Sequence, residues 1–322
     1  MLACLKLDMF VPLTAMLMRA PGKIRQLVRT AERRYDLPEV FVRGLLEDLG
    51  QATAPISVGP PAQPTPLARL YLEGGEVALE DQKRLIAEGI KGSATPERAD
   101  RLYPGDIEQF LACDGLGLAF GAAGVLLALA EAGIERVPEH EDWLLRRTAE
   151  VDGLGAGFYT GAHGIAYTLD RLGRHEDALK VMERIGTATP ATAAEGFGLF
   201  RGLAGEGLNL LHFARRTGDR DFGEAALRAA EPIASALSEG SQGLDLARAG
   251  LLHGWSGACL LFLQLYETTG EVMMANFAKQ ALERDLDKCV VTKNGTFEVS
   301  DDWRTLPYLE FGSVGVGIAL EQ

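Results

Sequence analysis

The chain has 322 residues, of which 47% are hydrophobic and 24% charged, a composition typical of a soluble globular protein with a sizeable core. Its 32 basic and 45 acidic residues give a net charge of −13 at pH 7. This charge argues against nucleic acid and anionic membranes as main partners, because both require a basic face, and it would suit a basic peptide. The four cysteines are far apart in sequence, which indicates a reducing, cytoplasmic compartment rather than a disulfide framework.

The first hundred residues predict a few helices and one extended segment. Residues 2–18 are apolar but too short and too charged for a membrane span, and they predict a buried helix. Residues 22–35 and 38–49 have the periodicity of amphipathic helices. Residues 50–66 contain five prolines and predict a linker or a surface strap. A further helix is predicted at about 78–91.

A glycine motif, G-x-x-G, recurs five times in the remainder of the chain. The copies begin at Gly121, Gly161, Gly202, Gly254 and Gly312, and each is followed by an apolar run. Such self-similarity predicts a repeat architecture. Because glycine has no Cβ, each pair allows the backbone to approach a neighbouring element closely at the start of a helix.

More polar helical segments alternate with the glycine motifs, at about 138–150, 175–186, 221–239 and 271–288. Apolar inner helices and amphipathic outer helices explain this alternation, and such pairs stack into a solenoid or close into a ring. Residues 289–299 interrupt the pattern with β-branched residues around Asn294-Gly295, a strong hairpin signal. The predicted fold is therefore all-α, a partial α/α toroid of repeated helix pairs with one β-hairpin insertion.

Four segments carry a further signal: Tyr103–Leu111 (YPGDIEQFL), Gly115–Leu129 around the first motif, Leu251–Gly257 (LLHGWSG) and Thr305–Gly315 (TLPYLEFGSVG). Together, in this order, they resemble the cyclase portion of lanthipeptide synthetases. The resemblance is greatest to the class III variety, which fuses lyase, kinase and cyclase domains. It covers about 103–322 and implies a seven-fold α/α toroid, of which about five repeats are present.

The resemblance also implies a domain organisation. Residues 1–48 are similar to the last helices of a kinase C-lobe, and residues 49–105 form a proline-rich linker plus a helix. Residues 106–322 correspond to the cyclase toroid, which ends within the helix that the fifth motif begins. We therefore expect the chain to be part of a longer, cytoplasmic protein, with the kinase and lyase domains as its partners.

The implied reaction is thioether formation within a ribosomal precursor peptide, which is the expected partner. A cysteine thiol adds to a dehydroamino acid, giving lanthionine or labionin, and a thiol of pKa about 8.5 needs activation near neutrality. Zinc-type members activate it with two cysteines and a histidine. This chain has Glu310 where that type has a cysteine in the fifth motif, so we expect no zinc and no other cofactor, as in class III.

The candidate site residues lie in or beside the glycine motifs. His253 precedes the fourth motif, where zinc-type cyclases keep an active-site histidine, and His163 lies within the second. We predict both as catalytic residues facing one cavity, because histidine titrates near neutrality and serves as acid or base. The predicted substrate-binding residues border other motif loops and are Tyr159, Arg201, Asp302 and Arg304.

Two alternative functions follow from the same fold class. A toroid without metal could bind a peptide, or support a kinase domain, without catalysis, and counting free thiols over time distinguishes this role from an enzyme. A glycan-processing toroid would use paired carboxylates across the cavity. The inner motifs carry almost no acidic residues apart from Glu206 and Glu310, which argues against that alternative.

Overall fold

The structure, a computed structural model, describes residues 6–7, 9–10, 24–49, 79–110, 115–151, 153–186, 196–238, 248–301 and 304–322. The chain divides into two compact units, Met1–Ala78 and Leu79–Gln322. Most of the predicted helix at 2–18 and all of the predicted linker or strap at 50–66 lie outside the described residues. None of the described helices is long and apolar enough to cross a bilayer.

The first unit contains two described helices, α1 (Ile24–Tyr35) and α2 (Glu39–Asp48). They pack against each other through a small apolar cluster that includes Val28, Ala31 and Leu45. Both helices occur where the amphipathic periodicity predicts them.

The second unit is built from helical hairpins. A first helix, α3 (Leu79–Gly92), and a 3₁₀ turn at Ile107–Phe110 precede the repeats. The inner helices, one after each glycine motif, are α4 (Ala122–Glu131), α6 (Ala162–Arg171), α8 (Leu203–Thr217), α10 (Trp255–Thr269) and α12 (Ser313–Leu320). The outer helices are α5 (Pro138–Glu150), α7 (His175–Ile185), α9 (Arg220–Ser238) and α11 (Val272–Leu286).

Inner and outer helices differ as the sequence predicts. Each of the first four inner helices packs against the outer helix that follows it and against the next inner helix along the chain. Between them lies the main core, whose largest fully buried side chains include Trp143, Phe213, Trp255 and Phe262. Burying each such side chain stabilises the fold by roughly 1.5–3 kcal/mol. This arrangement is that of a partial α/α toroid, and the four outer helices agree with the predicted ranges to within two residues.

The second glycine of each motif is required by close packing. A Cβ atom on Gly164 would overlap the carbonyl oxygen of Phe158, and one on Gly257 would lie 2.7 Å from the carbonyl oxygen of Leu251. In each motif the obstructing carbonyl belongs to the residue six positions earlier. The incoming loop therefore folds back onto the first turn of its own helix, which only glycine permits.

The predicted hairpin is confirmed, and a third strand extends it. Strand β1 (Cys289–Val291) pairs antiparallel with β2 (Phe297–Asp301), and Gly295 in the connecting loop has a φ of +78°. Strand β3 (Arg304–Thr305) then pairs antiparallel with β2. Strand β3 is not predictable from the sequence, because two residues are too few for an alternating pattern.

Candidate functional site

The loops that precede the five inner helices are joined by a ladder of backbone hydrogen bonds. Ala119 N donates to Tyr159 O at 2.8 Å, Tyr159 N to Phe200 O at 2.9 Å, Phe200 N to Leu252 O at 2.9 Å, and Leu252 N to Glu310 O at 3.0 Å. Each of these residues lies two positions before the first glycine of its motif. The ladder therefore places equivalent loop residues side by side at one end of the helices.

The end of this ladder carries a histidine–carboxylate pair. His253 Nε2 lies 2.8 Å from Glu310 Oε1. The His253 side chain is 36% exposed and that of Glu310 is 48% exposed, so solvent and a peptide can reach both. A histidine oriented by a carboxylate is a common arrangement for moving protons in enzymes.

Asp285 on α11 fixes the fourth loop, which precedes α10, by hydrogen bonds. Its carboxylate is fully buried and accepts hydrogen bonds from the backbone N–H groups of Gly250, Trp255 and Ser256 at 2.8–3.0 Å, and from Ser256 Oγ at 2.6 Å. Burial raises the pKa of Asp285, although these hydrogen bonds oppose the shift. Because the cap residue Gly254 has no side chain, Asp285 supplies the N-cap of α10 from a neighbouring helix.

Aromatic rings lie beside the His253–Glu310 pair, on the loops that the backbone ladder joins. The Phe200 ring centroid lies 4.9 Å from that of His253 and 5.4 Å from that of Tyr159, which it stacks upon at an angle of 13°. The Arg201 guanidinium lies 5.9 Å from the Phe200 ring centroid. Burial raises the pKa of Tyr159, so its phenol stays protonated at neutral pH. Phe200 therefore connects His253 with two predicted substrate-binding residues.

An apolar cavity of about 770 Å³ begins at the first loop, between α3 and α4. Phe120 lines it and also contacts Phe200, with ring centroids 6.1 Å apart. Gln109 fixes this loop, because its Nε2 donates to the Phe120 carbonyl oxygen at 2.6 Å. The rings of Phe120 and Phe200 thus form a continuous apolar contact between the cavity and His253.

His163 has a different environment. It lies inside α6, is 3% exposed, and its Nδ1 lies 3.0 Å from Asn209 Nδ2. Burial lowers the pKa of His163 to about 4, so the ring is neutral at physiological pH and its Nδ1 accepts from the amide. No contact among the described residues joins His163 to His253, and the burial of His163 favours a structural role.

Of the two remaining predicted substrate-binding residues, Arg304 lies within the described part of the chain. Arg304 is on β3, where its side chain is 45% exposed and lies 3.9 Å from the Asp301 carboxylate. Asp302 lies outside the described residues. The structure thus brings His253, Tyr159 and Arg201 together around Phe200, whereas Arg304 lies on the strand that leads to the fifth motif.

Sequence reasoning missed three contributors to this site. From the sequence, Glu310 is recognised as the replacement of a zinc ligand and as one of two acidic residues of the inner motifs, while Phe200 and Asp285 are not predicted. For Glu310 and Phe200 a signal was present, since both lie two residues before a motif glycine, as Tyr159 does. Asp285 had no such signal, because its partners are 29 to 35 residues distant in sequence.

The donor set at the loop end does not fit a zinc ion of the thiolate type. A tetrahedral zinc site takes three or four ligands, chiefly cysteine and histidine, and His253 and Glu310 supply two. Cys259 is buried in α10, and burial raises its pKa to about 11. In the described part of the chain, no three His, Cys, Asp or Glu side chains are placed to hold a metal ion together.

A second polar cluster lies at the opposite end of the inner helices. Asp170 accepts from His175 Nδ1 at 2.6 Å and from His212 Nε2 at 2.8 Å, and Arg216 lies within 3.4 Å of the same carboxylate. Burial opposes ionisation of Asp170, but its hydrogen bonds to the two histidines outweigh burial and lower its pKa. This cluster joins the ends of α6, α7 and α8.

Comparisons with known proteins agree with this architecture. Residues 152–302 match the family model described as "Lanthionine synthetase C-like protein". The chain is also 37% identical, over 361 aligned positions, to a "Probable SapB synthase" of Streptomyces coelicolor. That alignment covers 99% of this chain and 38% of the relative, so the chain spans 38% of the relative's length. Residues 152–302 are therefore similar to the lanthionine synthetase C-like family.

Proposed function

We propose that this chain is the cyclase part of a lanthipeptide synthetase of the class III type. It catalyses addition of a cysteine thiol to a dehydroamino acid within one ribosomal precursor peptide, forming lanthionine or labionin. The family match supports the reaction class. The observation that carries the catalytic proposal is the accessible His253–Glu310 pair, with 2.8 Å between Nε2 and Oε1, at the end where all five motif loops meet.

The reaction needs a base and an acid at one place. The thiol must lose its proton to become a good nucleophile, and the enolate that forms after attack must gain a proton at its α-carbon. A single histidine performs both steps in turn. His253 is accessible enough to reach the peptide, and we propose it as this acid and base, without zinc or another cofactor.

The peptide binds beside His253 on the aromatic and cationic residues of the neighbouring loops. Tyr159 and Arg201 both contact Phe200, which itself contacts His253, and these contacts support their proposed role in binding the peptide. We propose Arg304, on β3, and Asp302 as further substrate-binding residues. His163, predicted as a second catalytic residue, supports the site from the core in this proposal.

The rest of the synthetase is the second proposed partner. The relative is longer than this chain, and the alignment includes the first unit as well as the cyclase repeats. Residues 1–48 are then the end of a kinase C-lobe, residues 49–105 a linker with one helix, and residues 106–322 the cyclase. In this organisation, kinase and lyase domains dehydrate the peptide in the cytoplasm before the cyclase acts.

The test counts free thiols in a dehydrated precursor peptide during incubation with the protein. Cyclisation conserves the mass of the peptide but removes a thiol, so capping with a maleimide shows a falling adduct count. A reaction without protein gives the spontaneous rate. Thiol loss well above that rate supports the proposed function, whereas binding of the peptide with an unchanged adduct count indicates the non-catalytic alternative.

A further inference from the structure

We propose that Glu310 is a positioning residue for His253. Together the two residues activate the cysteine thiol, as the metal does in zinc-type cyclases. The Glu310 carboxylate orients the imidazole and stabilises the charge that the ring acquires when it takes the thiol proton. This inference rests on the proposed function and adds the device that activates the thiol.

Two contacts fix Glu310 against the loop that carries His253. Its backbone oxygen accepts from Leu252 N at 3.0 Å, and its Oε1 lies 2.8 Å from His253 Nε2. The first contact is the last step of the ladder that joins the five loops. Because both contacts reach neighbouring residues of the fourth loop, the carboxylate is held beside the imidazole by the backbone as well as by its own hydrogen bond.

The contact with Nε2 decides which ring nitrogen is available. If Nε2–H donates to Glu310, the other nitrogen, Nδ1, carries the lone pair of the neutral ring. Among the described residues no hydrogen bond occupies His253 Nδ1. Phe200 packs against the ring with centroids 4.9 Å apart, and Asp285 fixes the start of α10 just after His253. The imidazole is thus fixed by Glu310 and Phe200, and its Nδ1 is available to take a proton.

The charged groups around the pair are of both signs. Arg201 lies over Phe200, and Arg248 lies over Phe311 with its guanidinium 4.5 Å from the ring centroid. Arg201 belongs to the third loop and Arg248 to the fourth, which also carries His253, and the Asp285 carboxylate is buried beneath the fourth loop. The two guanidinium groups favour a thiolate and an enolate in the peptide, whereas the Glu310 carboxylate favours the imidazolium.

The proposed step conserves atoms and protons. His253 Nδ1 takes the proton of the cysteine thiol, and the sulfur forms a bond to the β-carbon of the dehydroamino acid. The π electrons of the carbon–carbon double bond move toward the carbonyl, giving an enolate. The imidazolium then returns its proton to the α-carbon, so the enzyme ends unchanged and no group leaves.

A purely structural pair predicts a different outcome. Exposed ion pairs contribute little to stability and nothing to a reaction, so removing one leaves the rate of thiol loss unchanged. Glu283 on α11 offers a matched control. Its side chain is 55% exposed and pairs with Lys279 at 3.7 Å, one helical turn earlier on the same helix.

The experiment compares Glu310→Ala, Glu310→Gln and Glu283→Ala with the wild type, each as the native polypeptide, in the thiol-counting assay. We expect Glu310→Ala to lower kcat at least about tenfold with little change in KM, because the base loses its orientation and its counter-charge. Glu310→Gln retains an acceptor oxygen and restores only part of the rate. Added formate, a small carboxylate, raises the rate of Glu310→Ala but not that of the wild type.

The possible outcomes separate this inference from the proposed function. A wild type that consumes no thiol above the spontaneous rate overturns the proposed function, and this inference with it. An active wild type with an equally active Glu310→Ala overturns the inference alone. A slow Glu310→Ala that formate does not accelerate, or that Glu310→Gln restores fully, also overturns it, because the carboxylate charge then has no role in the reaction.

Discussion

The second and fourth motifs each carry a histidine beside a glycine, yet the two side chains have opposite environments. His163 is 3% exposed and contacts an amide, and burial lowers its pKa to about 4. The side chain of His253 is 36% exposed and contacts a carboxylate. Residue type alone therefore does not distinguish a core histidine from one that can transfer protons.

The position relative to the first glycine makes the distinction. In the first four motifs the residue two positions after that glycine is buried inside the inner helix. The four residues are Ala123, His163, Ala204 and Ser256. The residue just before the glycine is at least partly exposed in all five motifs, at Phe120, Thr160, Arg201, His253 and Phe311. In the first four motifs, the position two residues after the first glycine therefore belongs to the core. The position just before that glycine belongs to the loop surface.

The largest expected effect tests the exposed member of this comparison. His253→Ala should lower the rate of thiol loss by about 100- to 10,000-fold, which is the usual contribution of a general acid–base group. Because the side chain is partly exposed, the midpoint of thermal unfolding should change little. His175→Ala, at the opposite end of the helices, is the control. A His253→Ala protein that cyclises at the wild-type rate would remove the catalytic assignment.

The dependence of stability on pH tests the buried histidine, His163. Since the pKa of His163 is about 4 in the folded protein and near 6.5 in an unfolded chain, the unfolded state binds the extra proton between these values. The neutral ring therefore contributes stability that is complete above pH 6.5 and is lost as the pH falls toward 4. The loss should reach about 3 kcal/mol, measured by urea unfolding at several pH values.

The matched variant for this titration is His163→Asn, whose Oδ1 can accept from Asn209 as Nδ1 does. It should be less stable at neutral pH but should lose less stability between pH 6.5 and 4. Part of the dependence of stability on pH should remain in this variant, because burial lowers the pKa of His140 as well. Equal slopes in wild type and variant would show that His163 is not the group that titrates.

Two glycines of α12 show whether the motif spacing is required by packing. A Cβ atom on Gly315 would meet the backbone of Leu309 and Leu251, whereas one on Gly317 has nothing within 4 Å. Gly315→Ala should therefore cost about 1–3 kcal/mol of stability, and Gly317→Ala should add up to about 1 kcal/mol. Denaturant unfolding measures both, and similar effects of the two changes would contradict the packing argument.

The fold was predictable from the sequence because its determinants are local and repeated. The five glycine motifs mark the starts of the inner helices, and apolar periodicity marks the outer ones, such as Pro138–Glu150. Asn294-Gly295 located the hairpin. The strand Arg304–Thr305 was missed, because its pairing depends on the position of β2 rather than on its own residues.

The candidate site was predictable only in part. His253 and Arg201 share a position in the repeat, and the sequence shows this. The contact of His253 with Glu310 joins residues 57 positions apart, and it depends on how adjacent loops stack. The burial of His163 likewise depends on the packing of α6 against α8, through Asn209. The repeat marks Glu310 as a loop residue, but a single sequence does not show which side chain it contacts.

The smallest expected effect concerns Tyr159, the loop residue closest in type to a peptide-binding group. Its ring stacks on Phe200, and an aromatic pair contributes about 0.5–1.5 kcal/mol beyond burial. Tyr159→Leu should therefore raise KM for the dehydrated peptide by no more than about tenfold and leave kcat unchanged, while Tyr159→Phe, which keeps the ring, stays near wild type. The dependence of thiol loss on peptide concentration measures both constants. A fall in kcat for Tyr159→Phe would instead place the phenol in proton transfer, and His253 would then share the chemistry with a second exposed loop residue.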